Sequence, residues 1–370
     1  MLITLVITGR SQTMARVESK NLFHHRPNGV PEDYVEAMAT QMREGMMQKM
    51  DPAVKEVYER INSDDPTVSM VESGFLQQMR DGMDTMFQMF GDPYKEYVEK
   101  CIHSELKVPM RDGNDFEVPV LVHTPKEIAG KKANPAIIYA HGGGVVAGTA
   151  IQMKPILSHI ACKLGVVYFN VDYRLAPETK CPKNVLDFYC AVKHVKENAE
   201  ELGIDPSRIA IAGDSGGGYI CFASMVMMAQ KNETDLVKLA IPGVAMISDM
   251  CFSDPAAMPK EEREVAYLMR RNWHCLADDF EAQKNDPLLF PAKASDEIIA
   301  KMPPTIIYTM EFDLFITENT RMTARMLRMG RLLEFCVQHG MNHNSAAVSG
   351  TKGKENHLRD FTLAIQEYLL

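Results

Sequence analysis

The stretch Gly213-Asp214-Ser215-Gly216-Gly217-Gly218 follows directly on the apolar run Arg208-Ile209-Ala210-Ile211-Ala212, and it constrains the fold more than any other part of the chain. An apolar run that stops at a glycine, presents one serine and continues into small residues reads as a strand turning sharply into a helix. A serine at such a turn has strained backbone angles, and whatever packs closely around it must be small, which is what the flanking glycines provide. Ser215 is therefore a candidate nucleophile.

A second glycine cluster, His141-Gly142-Gly143-Gly144, follows an earlier apolar run, Ala136-Ile137-Ile138-Tyr139-Ala140. Where a serine attacks a carbonyl, the developing oxyanion needs fixed donors. One comes from the N–H of the residue after the nucleophile and others from a loop behind an earlier strand. Gly216 and the loop Gly142, Gly143 and Gly144 fit these two positions. Backbone N–H groups suit the task because they are dipoles that need no reorganisation as charge develops.

These two motifs, with Asp172-Tyr173-Arg174-Leu175-Ala176-Pro177-Glu178 between them, resemble the hormone-sensitive-lipase group of α/β-hydrolases, which includes arylacetamide deacetylase and microbial carboxylesterases. The resemblance runs from about Ile102 to the C-terminus. It implies an α/β-hydrolase fold: an eight-stranded, mostly parallel sheet with helices on both faces and a helical cap. It also implies an acid and a histidine, in that order, after later strands. Past Pro304-Thr305-Ile306-Ile307-Tyr308-Thr309, Asp313 aligns with the family's acid, with Glu311 as the competing carboxylate. Past Leu332-Leu333-Glu334-Phe335-Cys336-Val337, His343 aligns with the family's base and His339 is the competing imidazole. On this reading His343 takes the proton of Ser215 and Asp313 holds the imidazole in orientation.

The chain departs from the family pattern in three places. Val145-Val146 stand after the glycine loop where an aromatic residue is usual, which predicts a reshaped acyl pocket. Asp313-Leu314-Phe315 replaces Asp-Pro-Leu, and Asn344-Ser345 replaces the Gly-Phe that follows the histidine. The last change keeps open a catalytically degenerate, ligand-binding reading, and the fold keeps open an acyltransferase or lyase using the same pocket. The leading expectation is a serine carboxylic-ester hydrolase acting through an acyl-enzyme on small apolar acyl esters, with arylamides as further substrates. It calls for no cofactor and no metal.

Composition narrows the partners. A net charge of −9 argues against nucleic acid or an anionic membrane surface. The eight cysteines are scattered, without a C-x-x-C, which fits free thiols in a reducing compartment better than a disulfide framework or zinc site. Cys162, Cys190 and Cys221 read as small buried apolar residues on helices, and Cys336 as the same within the last strand. The apolar start, Met1 to Gly9, lacks a basic leader and is short of the ~20 residues that span a bilayer. Met14 is an alternative start. The expectation is a cytoplasmic protein without stable membrane insertion, a monomer or a homodimer.

Periodicity sets the organisation. Amphipathic, Met-rich helical patterns run at 31–50, 52–61 and 68–90, and the family resemblance implies that residues 1–100 are a tail and helical cap segment. Residues 101–370 form the catalytic domain, with a polar insertion at about 248–295 that resembles a second cap element and contains the only tryptophan, Trp273. Strands are expected at 102–109, 117–124, 136–140, 166–171, 208–212, 240–247, 304–309 and 332–337. Helices are expected at 151–163, 185–201, 217–230 and 319–329. Tyr173, Arg174 and Glu178 read as scaffold, with Asp172 as a possible partner for Arg174, and Asp214 as structural.

Overall fold

The computed structural model describes residues 74–110, 113, 115–249, 270–343 and 352–370. The start of the chain, residues 250–269 of the polar insertion, and Asn344-Ser345 lie outside the described residues.

Eight strands form one sheet: β1 (Cys101–Pro109), β2 (Glu117–Pro125), β3 (Asn134–Ala140), β4 (Val167–Val171), β5 (Ile204–Asp214), β6 (Leu239–Gly243), β7 (Thr305–Phe312) and β8 (Leu332–Asn342). Their order is β1-β2-β4-β3-β5-β6-β7-β8. β2 runs antiparallel to both its neighbours, and the remaining pairs are parallel. Every residue of β3, β4 and β6 is buried, as expected of parallel strands covered on two faces.

The longer helices are α1 (Phe75–Gly91), α2 (Lys154–Leu164), α3 (Lys183–Glu197), α4 (Gly216–Lys231), α5 (Ile316–Arg328) and α6 (Lys352–Tyr368). Strand alternation sorts most of the core into two clusters, one on each face of the sheet, and Val244, Met310 and Met341 form a small third one. Ile138, Phe169, Ile209 and Ile211 pack with α3, α4 and α5. Ile137, Tyr139, Tyr168, Ala210 and Ala212 pack with Leu157 and Ala161 of α2 and with Ala364 and Ile365 of α6. Each fully buried aliphatic side chain of this kind contributes roughly 1.5–3 kcal/mol. α2 stops at Gly165, whose left-handed backbone (φ 65°) lets its N–H reach the Ala161 carbonyl at 2.8 Å.

Two expected strand limits shift for physical reasons. β5 begins at Ile204, ahead of the expected Arg208, through a segment containing Pro206 whose pairing with β3 is irregular; an interrupted segment of this kind has no clean strand pattern. β6 ends at Gly243 although the apolar run continues to Ile247. Val244 takes a positive φ of 40° and the chain leaves the sheet there. α6 was not among the expected helices. Trp273 is 1% exposed and packs edge-on against Tyr219, so it is a core residue of the second insertion. Among the described residues no helix is long and apolar enough to cross a membrane.

Cross-strand partners His103 and His123 meet through their Nδ1 atoms at 3.1 Å, and His103 Nε2 lies 3.0 Å from the Val98 carbonyl. If both rings are neutral, Nε2 of His103 donates to Val98, so its Nδ1 accepts the proton of His123 Nδ1. Burial, then His103 and Lys154, push His123 down to about 3. The unfolded chain therefore takes up a proton at His123 below about pH 6.5 that the folded chain refuses. Stability is full above that pH and falls toward pH 3, at up to about 1.4 kcal/mol per pH unit. Urea midpoints at pH 7.5 and pH 5 should separate more in the wild type than in His123→Gln. Equal separations would remove His123 from the acid limb.

Candidate active site

β5 delivers its last residue, Asp214, into the turn, and Ser215 follows at φ 59° and ψ −117°, immediately ahead of α4. This is a sparsely populated backbone region for a residue with a Cβ, and its environment over-determines it. Ser215 N–H donates to the Gly243 carbonyl at 2.9 Å, and its own carbonyl accepts Tyr219 N–H at 3.0 Å. The turn also needs bare backbone. A Cβ on Gly217 would stand 2.0 Å from the Ala140 carbonyl oxygen, and one on Gly213 would stand 2.4 Å from that of Gly217. The sequence motif is thus an account of contact distances between β3, β5 and α4.

The structure brings Ser215, His343 and Asp313 together. His343 Nε2 lies 2.8 Å from Ser215 Oγ, and His343 Nδ1 lies 2.8 Å from Asp313 Oδ2. Asp313 is 1% exposed, and its other oxygen accepts Phe315 N–H at 2.7 Å. The Phe315 ring meets the imidazole edge-on at 5.2 Å. Burial alone would lower the pKa of His343. The Asp313 carboxylate, by charge and hydrogen bond, and Asp214 more distantly, outweigh it and hold His343 above its ordinary value. The competing pair lies apart: His339 Nδ1 stands 3.4 Å from Glu311, and both side chains are partly exposed.

The glycine loop lies against the same turn. A Cβ on Gly142 would come within 3.7 Å of the Ser215 Cβ, and one on Gly216 would meet Gly144 N and Val145 N at 2.7 and 2.6 Å. The amides of Gly144 and Val145 therefore adjoin Gly216, whose N–H opens a helix and has no intrahelical acceptor. Gly143 and Gly144 have φ of 117° and 62°. Val145 continues this positive-φ run at 65°, an uncommon conformation for a β-branched residue, and both Val145 and Val146 are fully buried.

Arg80, which sequence reasoning missed, holds this loop in place together with residues read as scaffold. Arg80 of α1 donates to the Val146 and Ala176 carbonyls at 2.8 and 3.1 Å and makes a two-pronged pair with Glu178. Ala176 N–H in turn donates to the Val145 carbonyl. Tyr173 stacks on His141 and donates its hydroxyl to the His141 carbonyl at 2.7 Å. Arg174 pairs with buried Asp187 at 2.6 Å, not with Asp172, because Asp187 sits on the adjoining face of α3. Asp172 instead accepts Ala150 N–H at 2.7 Å. Asp214 accepts the Tyr139 hydroxyl at 2.8 Å, a structural use as anticipated. Glu318 of α5 is fully buried, accepting Ile247 N–H and the Ser248 hydroxyl at 2.7 Å each. Burial, despite those bonds, pushes its carboxyl up to about 8.

Among the described residues no group of three or more histidine, cysteine or acidic side chains is arranged to hold a metal ion.

A serine on a strand-to-helix turn, a histidine and acid from the last two strands, and a glycine loop behind β3 define the architecture of a serine-hydrolase site. Residues 137–347 match the family described as alpha/beta hydrolase fold, and the chain belongs to that family, in its hormone-sensitive-lipase-like group. It is 32% identical over 202 residues to carboxylesterase NlhH of Mycobacterium tuberculosis, covering 53% of this chain and 61% of that protein. A segment of 121 residues is 33% identical to mouse hormone-sensitive lipase, covering 30% of this chain and 16% of the lipase. The solved structure of a bacterial heroin esterase superimposes with a TM-score of 0.70 at 27% identity, covering 88% of this chain and 99% of that one. The chain thus spans about three fifths of the length of NlhH.

Proposed function

We propose that the protein is a serine carboxylic-ester hydrolase, with Ser215 as nucleophile, His343 as general base and acid, and Asp313 as its orienting carboxylate. The observation that carries this reading is the unbroken hydrogen-bonded chain from Ser215 Oγ through His343 to buried Asp313. In the first step His343 Nε2 takes the Ser215 proton as Oγ attacks the ester carbonyl. Charge developing on the carbonyl oxygen is met by backbone N–H groups of Gly216 and of the Gly142, Gly143 and Gly144 loop. His343 then gives its proton to the leaving alcohol, and an acyl-enzyme remains. Water, activated by the same imidazole, releases the acid.

Val145 and Val146, both fully buried, stand after the loop where the family usually has an aromatic residue, and similar proteins are named carboxylesterase and arylesterase. Both support small apolar acyl groups as substrates. We also read α1 and the second insertion as cap elements. Arg80 reaches the glycine loop from one, and the Asn272 amide reaches Gly144 from the other.

The test is reaction of the purified protein with a fluorophosphonate, followed by peptide mapping, and turnover of p-nitrophenyl acetate, butyrate and octanoate. A single adduct on Ser215 with highest kcat/KM on the short esters is the expected result. Absence of an adduct on folded protein would favour a ligand-binding protein, and diversion of the acyl group to an added alcohol ahead of water would favour transfer.

A further inference from the structure

Far from Ser215 in the sequence, Cys101 at the start of β1 and Cys162 in the last turns of α2 bring their sulfurs to 3.6 Å. A disulfide needs about 2.05 Å between sulfurs, so an approach of about 1.5 Å separates the pair from a bond, within the swing of a χ1 rotation. The two thiols differ in access. Cys101 is buried, with its sulfur 3.7 Å from the Ser158 carbonyl, whereas Cys162 is half-buried and reaches the wall of an open cleft of about 410 Å³. Lys100, Lys126 and Lys163 line that cleft with Glu99 and Glu127, an excess of positive charge around half-buried Cys162. Nearby cations draw in anionic reagents.

We propose that Cys101 and Cys162 form an oxidation site that takes a soluble, anionic disulfide as its oxidant and closes to an intramolecular disulfide between β1 and α2. The Cys162 thiolate attacks one sulfur of the reagent, expelling one reduced thiolate and leaving a mixed disulfide. Cys101 then loses its proton to solvent and attacks Cys162 Sγ, expelling the second reduced thiol. One reagent disulfide is reduced to two thiols, and two protein thiols become one disulfide. The order follows from access, and from burial and the neighbouring sulfur pushing the Cys101 thiol up to about 12. The second step is accordingly the slow one, since only the thiolate attacks. The expectation that Cys162 is a buried apolar residue on a helix holds for the helix and for its packing against the core, but the residue is only half-buried and has Cys101 as a partner.

Oxidised glutathione is the probe, applied to the full chain and followed by intact mass and non-reducing peptide mapping. The wild type should pass through a glutathione adduct on Cys162 and end about 2 Da lighter, with the 101 and 162 peptides linked. The cross-link closes a long loop and should raise the thermal midpoint by about 3 °C or more. Cys101→Ser should stop at a lasting adduct on Cys162, and Cys162→Ser should lose both adduct and cross-link. A wild-type adduct that never resolves, a cross-link between other cysteines, or inert thiols would each overturn the proposal. The wild-type mapping decides this alone if either variant fails to fold. The result is independent of esterase activity, because neither sulfur belongs to the Ser215 site.

Discussion

Replacing Ser215 by alanine is expected to lower kcat for p-nitrophenyl butyrate by about 10⁵–10⁶-fold while leaving the fold intact. The size follows from the reaction. Without Oγ no acyl-enzyme forms, His343 has no proton to take, and only the oxyanion donors and substrate positioning remain to speed attack by water. The fold should survive because the strained φ of 59° is imposed by backbone bonds that alanine keeps, to the Gly243 carbonyl and from Tyr219 N–H. Thermal midpoints of the two proteins should therefore agree closely, with hydrolysis lost in one. A variant that retained more than about a hundredth of the wild-type kcat would place the nucleophile elsewhere. Binding of a non-hydrolysable ester analogue should be unchanged, so the same variant separates catalysis from ligand binding.

The parts of the site that were legible in the sequence are those carried by local chain. Gly213 and Gly217 had to be glycine because backbone from β3, β5 and α4 meets there at distances no Cβ tolerates, and Gly143 because a Cβ would stand 2.1 Å from the Ala147 carbonyl oxygen, so geometry is written directly as residue type. The order of acid and histidine followed from the turn, and the choice of Asp313 over Glu311 rested on alignment. What was not legible were partners supplied from distant chain. Arg80 lies 98 residues before Glu178, and nothing in the Met-rich pattern of α1 marks it as the prop of the glycine loop. Glu318 did leave a trace. It lies at helical spacing with Met322 and Met326 on the buried stripe of α5, where a carboxylate is out of place unless it has partners. The pairing of Arg174 with Asp187 over Asp172 had no such trace, since it depends on how α3 docks beside β4.

Asp313→Asn should cost about 10⁴-fold in kcat/KM and move the acid limb of the pH profile, because it acts on both the proton and the charge of His343. Phe315 N–H already donates to Asp313 Oδ1 at 2.7 Å, so an asparagine keeps its carbonyl there and turns its NH₂ toward His343 Nδ1. A neutral imidazole facing that donor must accept at Nδ1 and carry its proton on Nε2, which then donates to Ser215 instead of accepting from it. The charge argument runs alongside. In the wild type Asp313 overcomes the effect of burial and holds His343 above its ordinary pKa, so kcat/KM should fall as pH drops through a value above about 6.5. With that carboxylate gone, burial dominates, and the limb in the residual activity should lie below about 6.5. Glu311→Gln is the matched control: Glu311 faces the partly exposed His339 at 3.4 Å, so its loss should change kcat/KM by no more than about threefold and leave the limb in place. The reverse pattern, a silent Asp313→Asn with a shifted limb in Glu311→Gln, would move the acid of the site to Glu311 and its base to His339.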